Sequence, residues 1–237
     1  MQFGTPYQAC QDGAVSKTSR SPGARPAALT RDRITEAAIE ILDAHGRSGL
    51  TFRALALELE TGHGAIQWHV TNKAELLTAA TVGALTRALA APVAGMPPRQ
   101  VVHTVALGVF DAIDAHPWLG PQLFAVPWQP AMVKLWEQIG RPLEDLGVPE
   151  SALFTAASTL VSYIVGVGSQ NATNTQSLTG HGSRDEFLDA VAERWESLDP
   201  AEHPFVTRVA GRLRVHDDRE EFLAGIDIIL NGLLAAR

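Results

Sequence analysis

Gln67, Trp68 and His69 stand together in the stretch GHGAIQWHVTNKAELL, residues 62–77. Between them they offer an amide that both donates and accepts, an indole N–H and an imidazole. Ile66 and Val70 are spaced to hold a short helix against a core, so the other three side chains must occupy its remaining sides. A helix that follows a tight turn and carries such groups outward is built to face the major groove of a duplex or the phosphates flanking it. The residues alone leave a second reading open, in which Trp68 is a core residue and His69 an ordinary surface one.

Catalytic chemistry has no comparable cluster. The histidines at 45, 63, 69, 103, 116, 181, 203 and 216 include no pair three or four residues apart, so no helical face of metal ligands is expected. Gly166-Val-Gly168 lies inside a helical pattern with no strand before it, unlike a dinucleotide loop. There is no Gly-x-Ser-x-Gly elbow, and the lone Cys10 is poorly placed as a nucleophile. The expectation is a binding protein without catalytic residues, metal or cofactor.

The elements that position the first cluster are helical. Apolar residues keep helical spacing almost throughout, with no internal repeat and no alternating strand pattern, so the fold class expected is all-α. Residues 1–29, rich in Ser, Gly, Pro and Ala, read as a flexible basic arm. Ile34, Ala37, Ala38, Ile41 and Leu42 line one face of a first helix that should stop near His45-Gly46. Thr51 can cap a second helix with Leu55, Ala56 and Leu59 inward, and a third places Ala65, Ile66 and Val70 inward. Asn72 with Glu75 has the form of a capping box for a long fourth helix running to about Ala90, where Pro92, Gly95, Pro97 and Pro98 mark a linker. Further helices are expected near 99–115, 118–125, 130–146, 150–174, 184–198, 204–215 and 218–236, with Ser183/Glu186 and Asp218/Glu221 as additional capping boxes.

The segments ITEAAIEILDAHGRSGLTFRALALEL and GHGAIQWHVTNKAELL together resemble the N-terminal domain of the tetracycline-repressor (TetR) family, closest in pattern to its tetracycline-repressor branch, over about residues 31–78. HPWLGPQL, LVSYIVGVG and FLAGIDIILNGLL resemble the regulatory domain more loosely. The resemblance implies a three-helix DNA-binding domain over 30–78 and a larger helical ligand-binding and dimerisation domain over 79–237. It further implies that Arg53 reads a base edge and that His63, Gly64, Ala65 and Gln67 lie along base edges. Trp68 and His69 would then meet the sugar-phosphate backbone and Lys73 a phosphate, with Thr51 a cap or phosphate ligand. Where the family usually has a turn glycine this chain has Glu60, so Gly62 is expected to supply the unusual backbone angle. Gln67 and Gly64 also depart from the family pattern.

In the larger half, the helices at 150–174 and 218–236 are the candidates for a four-helix dimer interface. Ala156, Leu160, Ile164, Ile226, Ile229, Leu230 and Leu233 are its expected contacts, packing within one subunit being the alternative. Trp118, Phe124, Trp128 and Trp136, with His103 and Phe110 upstream, could wall an apolar cavity anchored by His103, Gln170, Asn171 or Asn174, although core packing explains each aromatic as well. By family analogy the partners are a palindromic double-stranded DNA operator, a second copy of the chain in a homodimer, and a small organic effector that releases a repressor. A receptor of the same fold with weak DNA binding is the alternative.

Composition fits this division. At 237 residues and 46% hydrophobic content the chain can fill a sizeable core, and a small domain plus a larger one is expected. Residues 1–89 carry nine Lys/Arg against eight Asp/Glu, and residues 90–237 ten against eighteen, so the net charge of −7 is concentrated in the second part. Ala152 to Asn174 is uncharged, but its hydroxyl and amide side chains favour a buried helix over a membrane span. The first residues lack the apolar core of a signal peptide, and a single Cys10 suits a reducing compartment, so a cytoplasmic location without membrane association is expected.

Overall fold

The computed structural model describes residues 28–125, 128–178 and 183–235. Most of the expected arm, with Cys10, lies outside them, as does His181. Among the described residues the elements are all helical. The first three are α1 (Arg31–Gly49), α2 (Phe52–Glu58) and α3 (His63–Gln67). Next come α4 (Lys73–Ala88), α5 (Pro98–Ala115), α6 (Leu119–Ala125) and α7 (Pro130–Asp145). Then follow α8 (Glu150–Leu178), α9 (Arg184–Glu196), α10 (Pro204–Val209), a 3-10 turn (Ala210–Val215) and α11 (Asp218–Ala235).

Local chemistry explains the starts and stops. Thr30 caps α1 by accepting the Arg33 N–H at 3.2 Å, and Thr51 caps α2 by accepting the Ala54 N–H at 3.0 Å. Gly46, at φ +63, breaks the helical path of α1 where the sequence places its end, although a further short turn carries the element to Gly49. The Ser183/Glu186 capping box forms in full. The other two differ from expectation. Asn72 accepts the Glu75 N–H, but Glu75 turns to Thr71 instead of to Asn72. At α11 it is Asp217 that accepts the first N–H groups, from Arg219 and Glu220, leaving Asp218 to pair with Arg184.

Two hydrophobic cores result. Ile34, Ala38, Leu42, Leu50, Leu55, Ile66 and Val70 close the first together with Leu76, Leu77 and Ala80 from the start of α4. The rest of α4 supplies Ala84 and Leu85 to the second core, which α5, α6, α7, α8 and α11 complete. Thus α4 crosses from one core to the other. Gly108 lets α5 pass close by its end, since a Cβ there would collide with the Ala88 carbonyl oxygen.

Helix α8 is the centre of the larger core. Residues Glu150–Ser177 are long and apolar enough, by length and composition alone, to cross a membrane, yet α5, α6, α7 and α11 pack around this helix. Four of its hydroxyls are satisfied within the helix: Thr159, Ser169, Thr173 and Ser177 each donate to the carbonyl four residues earlier.

The faces that α8 and α11 leave open differ from those expected for a dimer. Ala156, Leu160, Ile164, Ile226 and Leu230 are buried inside this one subunit, and Ile229 and Leu233 pack half-buried against the same core. The five buried side chains already fill their own protomer, whereas Ile229 and Leu233 keep part of their surface exposed. The open faces carry Thr155, Thr159, Ser162 and Gly166 on α8, and Ala224, Ile228 and Gly232 on α11, with Ile228 73% exposed.

Candidate nucleic-acid interface and ligand cavity

Helix α3 is only five residues long and survives because its neighbours hold it. Ile66 and Val70 are buried in the first core, and the His63 ring stacks on Phe52 of α2 at 5.1 Å between centroids. Ala65, expected inward by its spacing, is exposed. The helix ends at Gln67, and Trp68 forms its C-cap.

The turn between α2 and α3 takes its shape from Glu60. Its φ is +49, while Gly62 sits at −81, so the unusual angle belongs to Glu60 and not, as expected, to the glycine. The Glu60 N–H donates to Leu57 O at 3.2 Å and the Thr61 N–H to Ala56 O at 3.0 Å, the paired bonds of a Schellman ending. A left-handed residue here closes α2 and redirects the chain within two residues.

What this geometry presents is a continuous rim. Trp68 is 88% exposed, Gln67, Gly64 and His63 are exposed beside it, and His69 is half-buried. Arg53 is exposed on α2 and makes no hydrogen bond or ion pair among the described residues. Thr51 already spends its hydroxyl on the Ala54 cap. Lys73, at the first turn of α4, donates to the Arg47 carbonyl at 2.7 Å, which ties the end of α1 to the start of α4 and leaves two of its three ammonium protons available. An apolar underside with amide, imidazole, indole and guanidinium groups on top can bind a polyanion whose edges bear hydrogen-bonding groups.

The candidate ligand residues scatter. A cavity of about 1060 Å³ lies between the α4–α5 linker, α5 and α7. Of the expected residues only Trp128 lines it, beside Val93, Met96, Val101, Val105, Val133 and Pro142, with Lys134, Glu137, Gln138, Arg141 and Asp145 as polar groups. Arg141 pairs with Glu137 at 2.6 Å, whereas Lys134 has no partner among the described residues. Phe110, Gln170, Asn171 and Asn174 line a separate recess of about 240 Å³ beside α11. The three amide residues also line one of about 370 Å³ under α9, and Asn171 donates to Asp114 at 3.0 Å.

The remaining aromatics and His103 have other roles. Trp136 stacks on Phe154 at 5.6 Å, and Phe124 is exposed on α6. His103 Nε2 lies 2.9 Å from Asp227, which also takes Arg99 at 2.6 Å, so His103 helps tie α5 to α11. Trp118 donates its indole N–H to Asp43 of α1 at 2.7 Å and packs on both cores. The wall residues Val93 and Met96 escaped the sequence reading because they sit in a Pro/Gly-rich linker, where helical periodicity carries no signal.

Comparison with known proteins agrees with this architecture. The family model described as bacterial regulatory proteins, tetR family, matches residues 34–80, and that for the tetracyclin repressor-like C-terminal domain matches residues 99–237. The chain is 49% identical to a transcriptional regulator, a TetR from Streptomyces coelicolor, with a TM-score of 0.81 over 88% of this chain and 99% of that one. It is 27% identical to the Streptomyces coelicolor TetR family protein ActR, solved in complex with actinorhodin, with a TM-score of 0.74 over 89% of this chain and 97% of that one. Among curated proteins it is 27% identical to the HTH-type transcriptional repressor DrrR1 of Streptomyces coeruleorubidus, covering 91% of this chain and 82% of that protein.

Proposed function

The chain belongs to the TetR family of bacterial transcriptional regulators, and from that premise we propose that it is a repressor that binds a palindromic operator as a homodimer and is released by a small organic effector. The observation that carries this reading is the rim of exposed Gln67 and Trp68 with half-buried His69, held by buried Ile66 and Val70 in the same unit as an Arg53 that pairs with no described residue. Arg53 has the fork geometry for a guanine edge, and Lys73 and His69 have the charge or hydrogen-bonding capacity for phosphates. Similarity to a curated repressor supports the polarity, and the structure of a relative, BioQ, with its double-stranded DNA operator supports the partner.

Dimerisation follows from the reading geometry, because two such short helices span successive half-sites only through two-fold symmetry. The open faces of α8 and α11, with Gly166 and Gly232 permitting close approach around Ile228, are the proposed contact. For the effector we assign the cavity between the α4–α5 linker and α7. Its apolar floor, Trp128 and a Lys134 that pairs with no described residue suit a planar organic molecule bearing a negative or strongly electron-rich group.

The test is a duplex gel-shift with the DNA upstream of the protein's own gene. Saturable binding that weakens steeply as salt rises is expected. A protein that binds this DNA no better than unrelated duplex at every salt concentration would instead be a small-molecule receptor on the same fold.

A further inference from the structure

Helix α4 joins the two cores, but one helix alone would let the reading unit turn about that helix's axis. A second attachment exists. Asp43 of α1 accepts the Trp118 indole N–H at 2.7 Å, and its two carboxylate oxygens lie 2.8 and 3.0 Å from His116 Nδ1. His116 ends α5, Trp118 stands just before α6, and the Trp118 ring packs on both hydrophobic cores. The His116 and Asp43 side chains keep only 23% and 34% of their exposure, so these charge-assisted bonds are partly shielded from water.

We propose that Asp43, locked to His116 and Trp118, is a positioning residue for operator binding: it fixes the orientation of the reading unit on the larger domain. Two attachments, α4 and this lock, define that orientation where one would not. Freezing it beforehand removes an ordering cost from the binding of two half-sites at once. The proposal rests on the operator-binding reading above.

The experiment places spin labels at Glu58→Cys and Glu150→Cys, both exposed sites, in a Cys10→Ser background, and measures the distance distribution by pulsed paramagnetic resonance. Affinity for the upstream DNA is titrated in parallel. Asp43→Ala should broaden the distribution and weaken binding about tenfold, the loss expected for one or two charge-assisted bonds. Trp118→Phe, which keeps ring packing and removes the N–H, should move both readouts the same way by less, and the double variant should do no more than Asp43→Ala alone. If Asp43→Ala does not fold, Asp43→Asn and Trp118→Phe carry the comparison. An unbroadened distribution, or unchanged affinity, in a variant that melts like the wild type overturns the proposal. Wild-type protein that ignores its upstream DNA defeats the operator reading instead, and the distances still judge whether the lock orients the unit.

Discussion

Thr71 and Glu75 are joined twice: one carboxylate oxygen of Glu75 accepts both the Thr71 backbone N–H at 2.9 Å and the Thr71 hydroxyl at 2.8 Å, while its other oxygen takes Arg31 at 2.7 Å. The Thr71 backbone bond first, then the Thr71 hydroxyl and Arg31, hold the Glu75 carboxyl below its ordinary range. A depressed carboxyl contributes stability that is present above its unfolded pKa and lost as pH falls through its folded pKa. Glu75→Gln should therefore lower the melting temperature at neutral pH and show a shallower further loss on acidification than the wild type. Identical melting of the two proteins at neutral pH would remove Glu75 from the list of residues that hold this corner.

Glu60 spends conformational energy that a glycine would not. An L-residue in the left-handed region costs roughly 1–2 kcal/mol, so Glu60→Gly, which keeps both Schellman bonds, should stabilise the protein by about 1 kcal/mol. Chemical denaturation measures this, and destabilisation would mean that the Glu60 side chain matters more than its backbone.

Stability and DNA binding should separate along the rim. Trp68→Ala removes an exposed ring, so its stability should stay within about 0.5 kcal/mol of the wild type while DNA affinity falls. Arg53→Ala should weaken binding unequally between operator variants, whereas Lys73→Ala should weaken it nearly uniformly and reduce the salt dependence. Lys73→Ala should also cost about 1 kcal/mol of stability, because it releases the Arg47 carbonyl. Equal losses on every sequence for Arg53→Ala would defeat its base-reading role.

How much of this was legible in the residues follows from what periodicity encodes. Apolar spacing finds the helices and the buried side of each, and it placed Ile34, Leu42, Leu55, Ile66 and Val70 correctly in one core. It does not say which subunit covers an apolar face. Leu160 and Ile226 therefore looked like interface residues although they fill their own protomer, and the open faces, rich in Thr, Ser and Gly, carry little apolar periodicity to mark them. Backbone sign is equally hidden: a Glu-Thr-Gly turn suggests that glycine takes the positive φ, yet the hydrogen bonds that close α2 require it at Glu60. The aromatics were near one another in sequence, but Trp118 and Trp128 sit in the turns before α6 and α7 and Trp136 within α7, so the chain carries them to three separate places.

The cavity assignment predicts a blocked variant. Val133 lines the cavity and is already exposed, so Val133→Trp should fill it without harming the fold. Planar aromatic carboxylates screened by thermal shift should stabilise the wild type and lose that effect in Val133→Trp, with operator binding intact. His103→Ala should retain the shift, because His103 faces Asp227. Loss of the shift in His103→Ala alone would move the effector site towards α11.

Assembly can be tested from the open face of α11. Ile228→Asp places a charge in the proposed contact, and sedimentation should show a dimer becoming a monomer, with little change in the stability of each protomer. A dimer that persists would place the contact elsewhere.

The position of α4 has one more consequence. Its first turns belong to one oily interior and its last turns to the other, so it works as an axle seated in two bearings. Heat that loosens either seat strips the second of part of its lining, and the whole molecule is thereby bound to a single shared endotherm.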